Sequence, residues 1–239
     1  MATRTGALLG RHPGTQLATA SSLVILAGLA WAWTVAMAAM PACHTVGVVP
    51  FLVMWTVMMA AMMFPAVIPV VLAYEGLIRV RGGRPVVAAT LFVAGYLAVW
   101  GLLGLPARAL LDAADRLGPA LPSIPKAGGL VLVGCGLFQL TPFKHACLRH
   151  CRAPHLFLAH HWRDGALGAF GIGAQHGLFC AGCCASLMIV LLVVGVMNVA
   201  WMVALSALIY LEKVVPGGIA LGRLAGVALS VAGIVRLVT

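Results

Sequence analysis

The chain has 239 residues, of which 63% are hydrophobic and 8% are charged. Soluble globular domains carry about 25% charged residues, so this balance excludes a water-soluble fold and points to a membrane protein. The net charge of +10 does not indicate nucleic acid, because the basic residues cluster between apolar runs, where they set topology and meet anionic lipid headgroups.

Apolar runs long enough to span a bilayer, roughly 20 residues each, recur along the whole chain. They are continuous rather than alternating, which argues against a β-barrel. The expected fold class is all-α: one polytopic membrane helix bundle over residues 1–239, with six or seven transmembrane helices. Leu17 to Ala39 exceeds the core of a signal peptide and follows Arg4 and Arg11, so it reads as the first membrane helix. A short uncharged turn with Cys43 and His44 follows.

The second helix is expected over Val48 to Ala73, with Pro65 and Pro69 inside it. Proline is tolerated there when neighbouring helices satisfy the freed carbonyls. A basic turn, Arg79, Arg81 and Arg84, leads to a third helix over Pro85 to Leu105. Pro106 to Pro125 reads as a longer polar connection with room for a short interfacial helix. A glycine-rich fourth helix covers Ala127 to Leu140 and stops at Thr141-Pro142. The most polar stretch, about residues 143–165, reads as a cytoplasmic loop with Lys144, Arg149, Arg152, Arg163 and five histidines. The fifth helix runs over Ala166 to Val194 and the sixth over Asn198 to Leu211. Glu212-Lys213, read as a local pair, and Pro216-Gly217-Gly218 then break the chain before a last helix over Ile219 to Leu237.

In a seven-helix plan Arg4, Arg11, the Arg79–Arg84 turn, the Lys144–Arg163 loop and Lys213 share one side. By the positive-inside rule that side is cytoplasmic, which puts the N-terminus inside. Arg108, Arg116 and Lys126 fall on the other side, partly balanced by Asp112 and Asp115.

Sulfur is the unusual element. The chain has seven cysteines and eleven methionines. In the second helix Met54, Met58 and Met62 fall four apart, with Met59 and Met63 beside them. Residues four apart share a helix face. Thioethers are soft and neutral, so a ladder of them suits Cu(I) and binds hard ions poorly. Methionine is also an adaptable packing residue, and both readings stay open. In the fifth helix His176 precedes Cys180, Cys183 and Cys184. Three sulfurs and an imidazole fit one soft metal; a close-packed interface with cysteine as a small apolar filler fits equally. In the polar stretch Cys147 and Cys151 share a face if helical, with His150 close by, which fits a separate inner-face site; a basic, lipid-facing juxtamembrane loop fits equally. Their spacing is not that of a paired zinc ribbon, so zinc fits less well than copper. Nothing resembles paired catalytic carboxylates, a serine triad or a phosphate-binding loop, so no enzyme chemistry has a motif behind it.

Several pieces resemble one bacterial family. They are Trp55-x-x-Met58-x-x-Ala61-Met62-Met63-x-Pro65, then Gln139-Leu140-Thr141-Pro142-Phe143-Lys144-x-x-Cys147-x-x-x-Cys151-Arg152-x-Pro154, then Gly182-Cys183-Cys184, Gly195-Val196-Met197-Asn198-x-x-Trp201-Met202 and Glu212-Lys213-x-x-Pro216. The family is that of predicted metal-binding integral membrane proteins, some labelled copper chaperones. The resemblance implies a metal-binding protein of the bacterial inner membrane and no particular reaction. The chain departs from its relatives at Ala185, where an aromatic residue often follows Gly-Cys-Cys.

The expected function is Cu(I) binding through Met, Cys and His, and assistance in copper transport or delivery. The expected partners are the lipid bilayer and a metallochaperone or another membrane subunit. Two alternatives stand beside it: an assembly subunit whose Met, Cys and Gly residues only pack helices, and a membrane enzyme that uses copper or a reactive thiol.

Overall fold

The computed structural model describes residues 13–39, 47–117 and 124–238. Arg4, Arg11 and the Cys43–His44 turn lie outside the described residues. Every described element is a helix: α1 Pro13–Ala38, α2 Val48–Val80, α3 Pro85–Leu117, α4 Ile124–Gln139, α5 Pro142–Arg152, α6 Pro154–His161, α7 Gly165–Val194, α8 Val199–Val214 and α9 Gly218–Val238.

Five of these, α1, α2, α3, α7 and α9, are long and apolar enough to cross a membrane. The α4–α5 pair, bent by 59°, makes a sixth if it counts as one broken span. The chain is therefore a multi-pass membrane helix bundle, and the expected six or seven spans meet the observed helices at six. α8 has 16 residues, about 24 Å at 1.5 Å per residue, shorter than a bilayer core of roughly 30 Å.

α2 and α7 are central, while α1 and α9 are peripheral. The outer faces carry large apolar side chains in the open, among them Ile25, Leu29, Leu102, Leu167, Leu224 and Val231. So much exposed apolar surface is stable only against lipid. One contiguous core runs through the bundle from Leu23 to Ile209.

Three differences from the sequence expectation bear on function. First, α3 continues through Pro106 to Leu117, so half of the expected polar connection is helix. Arg108 and Asp112 stabilise that extension as an i,i+4 pair at 2.8 Å. Second, residues 143–165 are not a surface loop. Thr141 caps α5 by accepting from the Lys144 N–H at 3.3 Å, Pro142 and Pro154 take first-turn positions in α5 and α6, and Lys144, Cys147, Leu148, Cys151, Phe157 and Leu158 are buried. The amphipathic spacing of these residues outweighs their polar composition. Third, Glu212 and Lys213 do not end α8 or pair with each other. They lie within it, buried, and each finds its partner on another helix.

α3 and α7 pack with almost no gap. A methyl group built on Gly173 would collide with the Phe92 carbonyl, and one on Gly95 with the Phe170 carbonyl. This approach of small residues carries Tyr96 on α3 to the middle of α7.

Candidate metal centre

Four thiols from two helices converge. Cys151 Sγ on α5 lies 3.9 Å from Cys183 Sγ on α7, and Cys183 Sγ lies 3.6 Å from Cys184 Sγ. Cys151 and Cys184 also reach Cys180. All four are buried and free of disulfides. The expected separation of an inner-face Cys147–Cys151 group from a fifth-helix group is thus corrected. α5 bends back from α4 and lays its Cys151 against α7, so the two groups share Cys151.

Cys180 is the hub. Its Sγ accepts a hydrogen bond from Lys213 Nζ at 2.9 Å and lies 3.0 Å from the Tyr96 hydroxyl. Cys183 Sγ donates to the Cys180 carbonyl at 3.1 Å. The site therefore draws on four helices: α3 through Tyr96, α5 through Cys151, α7 through three cysteines and α8 through Lys213.

His176 packs one turn before Cys180 in an aromatic nest. Its ring stacks on Tyr96 at 6.0 Å and lies against Phe92 and Phe157 at 5.9 and 5.1 Å. Its Nδ1 is buried with no hydrogen-bond partner. Such a group is costly unless something binds it. His150 is held by other partners. It stacks on Phe179, rings 4.0 Å apart and 3° from parallel, and its Nδ1 donates to the Ala146 carbonyl at 2.9 Å. Cys147 sits against the α7 backbone, its Sγ 2.9 Å from where a Gly182 Cβ would be.

Beside the thiols lies a buried ion pair. Lys144 Nζ reaches both carboxylate oxygens of Glu212 at 2.8 Å and also donates to Gln139 Oε1. Arg152, next to Cys151, donates to the backbone carbonyls of Glu212 and Val215. These bonds fasten α5, which carries Cys151, to α8, which carries Lys213.

Met54, Met58, Met59, Met62 and Met63 are all buried. Neighbours such as Met58 and Met59 point about 100° apart on a helix of 3.6 residues per turn, so α2 is enclosed on several sides here and presents no single stripe. Two chains of contacts link it to the thiols. Trp55 Nε1 donates to the Trp100 carbonyl at 2.8 Å, Trp100 packs edge-on to Tyr96, and Tyr96 touches Cys180. α8 makes a second bridge, with Ser206 donating to the Met62 carbonyl at 3.2 Å and Lys213 donating to Cys180.

The donor chemistry fits a soft ion. A tetrahedral site with metal–sulfur bonds of about 2.3 Å has sulfur–sulfur edges of about 3.8 Å, close to the observed 3.6 and 3.9 Å. The thiols nevertheless bond to one another, to Tyr96 and to Lys213. Among the described residues no group of three or more His, Cys, Asp or Glu is prearranged around a metal position.

Tyr96, Lys213 and the Lys144–Glu212 pair escaped the sequence reading. The available signal was charge inside apolar helices, which is expensive and marks function or pairing.

A family model described as PpoB2, copper chaperone, matches residues 52–236. No curated protein matches the chain, and no solved structure does.

Proposed function

The chain belongs to the PpoB2 copper chaperone family, and on that premise we propose that it binds Cu(I) as cargo on Cys151, Cys180, Cys183 and Cys184 and hands it to a partner. The observation that carries this reading is the chain of pairwise contacts that joins four buried, free thiols of α5 and α7. Thiolates and thioethers select Cu(I) by softness. His176 supports the site with an unpartnered imidazole nitrogen one turn away.

The methionines of α2 extend the proposal. Their helix is tied to the helices of the site through Trp55 and Ser206, and neutral thioethers hold Cu(I) without a buried counter-charge. Passage between several moderate sites is favoured over one deep trap. On the other flank of α5 an open cavity of about 430 Å³ is lined by Arg149, His150, Arg152 and His160. It offers a carrier an approach within one helix width of Cys151. The basic turns favour a cytoplasmic N-terminus and a bacterial inner membrane, with a metallochaperone or a second membrane subunit as partner.

Copper competition titration of the purified chain tests the proposal. Wild type takes up about one Cu(I) per chain, and a variant with Cys151, Cys180, Cys183 and Cys184 all changed to Ser takes up none at that affinity. Equal uptake by both would overturn the site.

A further inference from the structure

The cavity of about 430 Å³ on the outer flank of α5 is lined by Arg149, Arg152 and His160 together with Leu156, Phe157 and Ile219, and by no acid. The chain holds only five acids, and all of them are placed elsewhere. Glu75 pairs with Arg79, Asp112 with Arg108, Asp164 with Arg81 and Glu212 with Lys144, while Asp115 lines a separate cavity beside Met54. Arg149 forms no hydrogen bond or ion pair through its side chain among the described residues. Arg152 bonds neutral carbonyls, those of Glu212 and Val215, which take two of its five N–H donors. One turn before Arg149, both ring nitrogens of His145 are buried without a partner. The charges that act on His145 are those of Arg223, Lys144 and Arg149, all positive. This corner of the molecule has donors and positive charge, and no anion of its own.

Its position says which anion. Ile219 lies in the first turn of α9, a helix long and apolar enough to cross a membrane. The cavity therefore opens at the end of a span, where headgroups sit. Leu156 on its wall is exposed, so the cavity runs out into the apolar outer surface. We propose that this cavity binds one anionic phospholipid, its phosphate held by Arg149 and Arg152 and an acyl chain laid along Leu156. Guanidinium forks match phosphate oxygens, basic pockets between membrane helices hold such headgroups, and the volume falls within the roughly 300–1,000 Å³ of small-molecule sites. A choline or ethanolamine headgroup brings its own cation and finds no carboxylate here, so a headgroup of net negative charge is preferred. Arg152 also ties α5 to α8, and a phosphate on it adds to the clamp that fixes α5 and, with it, Cys151. The lipid site stands whether or not the thiols bind copper, and a carrier that approaches Cys151 over this face has to displace the lipid.

Thermal unfolding of the full chain in detergent tests the site, with phosphatidylglycerol, phosphatidylcholine or inorganic phosphate added. Phosphatidylglycerol is expected to raise Tm by about 5 °C, the scale of saturating one site, and the other two to leave it unchanged. Arg149→Gln is expected to lose most of that rise while keeping the wild-type Tm in phosphatidylcholine, because Arg149 has no side-chain bond to lose. Arg84→Gln, at an exposed arginine of the α2–α3 turn outside this cavity, is expected to keep the rise. An equal rise with phosphatidylcholine overturns the proposal, as does a rise that survives Arg149→Gln or is lost as fully in Arg84→Gln. A full rise with inorganic phosphate assigns the arginines to a free anion and overturns the lipid. No rise with any addition overturns the proposal too, and leaves the arginines to an acidic protein partner.

Discussion

The sulfurs of Cys151 and Cys183 lie 3.9 Å apart across the interface of α5 and α7, though 32 positions separate them in the chain. That contact makes one thiol cluster out of residues from two helices. It depends on the 59° bend between α4 and α5, which turns α5 across the face of α7. Whatever holds α5 in that attitude holds the cluster together.

Cys151 and Cys147 sit one turn apart on α5, yet they are not equivalent. Cys151 meets Cys183, while Cys147 abuts the backbone at Gly182. Cys151→Ser is expected to weaken Cu(I) binding at least about tenfold, no less than loss of an outer-shell partner does. Cys147→Ser is expected to stay within about threefold of wild type, under 1 kcal/mol. Chelator competition on the two single variants makes the comparison.

The Lys144–Glu212 pair is buried on both sides, at 1% and 2% exposure. Removing one partner strands a charge in an apolar core. Lys144→Met is expected to destabilise the bundle by about 3–5 kcal/mol, and Lys144→Met with Glu212→Leu to recover much of that loss, since apolar replacement of a whole buried pair is often close to neutral. Thermal unfolding in detergent reads both variants.

Gly173 and Gly95 let α3 and α7 touch backbone to backbone. Gly173→Ala places a methyl group on the Phe92 carbonyl and has no side chain to push aside. A loss of about 1–3 kcal/mol or more is expected from such overpacking. Because the same contact brings Tyr96 to Cys180, Cu(I) affinity is expected to fall with stability. A conservative change on the lipid face, Leu102→Val, should leave both unchanged.

Much of this architecture is legible in the sequence. Helix starts at Val48 and Pro85 and the end at Val194 coincide with expectation, because proline, glycine and charge mark them locally. Residues 143–165 misled, since their histidines and arginines read as a solvated loop. Six of them, Lys144, Cys147, Leu148, Cys151, Phe157 and Leu158, are nevertheless buried against other helices, a fact set by long-range packing. The candidate site was legible in its residues and not in its grouping. Cys180, Cys183 and Cys184 announce themselves by spacing along one helix. Their partners Cys151, Tyr96 and Lys213 come from three other helices, and no local pattern encodes that meeting. Glu212-Lys213 shows the same limit: adjacent opposite charges read as a pair, while helical geometry sends them to different neighbours.

The methionines of α2 separate packing from passage by a conservative exchange. Met59→Leu with Met63→Leu conserves volume and is expected to cost less than about 1.5 kcal/mol per site. On the passage reading, copper loading of the cysteines slows while equilibrium Cu(I) affinity holds. Stopped-flow loading beside equilibrium titration distinguishes the two, and unchanged loading assigns these methionines to packing.

X-ray absorption at the copper edge of the Cu(I)-loaded chain tests the central claim most directly. The account predicts a first shell of sulfur in wild type, with the sulfur count reduced in Cys151→Ser and again in Cys183→Ser, because both belong to one site. A shell of nitrogen or oxygen, or a sulfur shell unaltered when Cys151, Cys180, Cys183 and Cys184 are all serine, would contradict it.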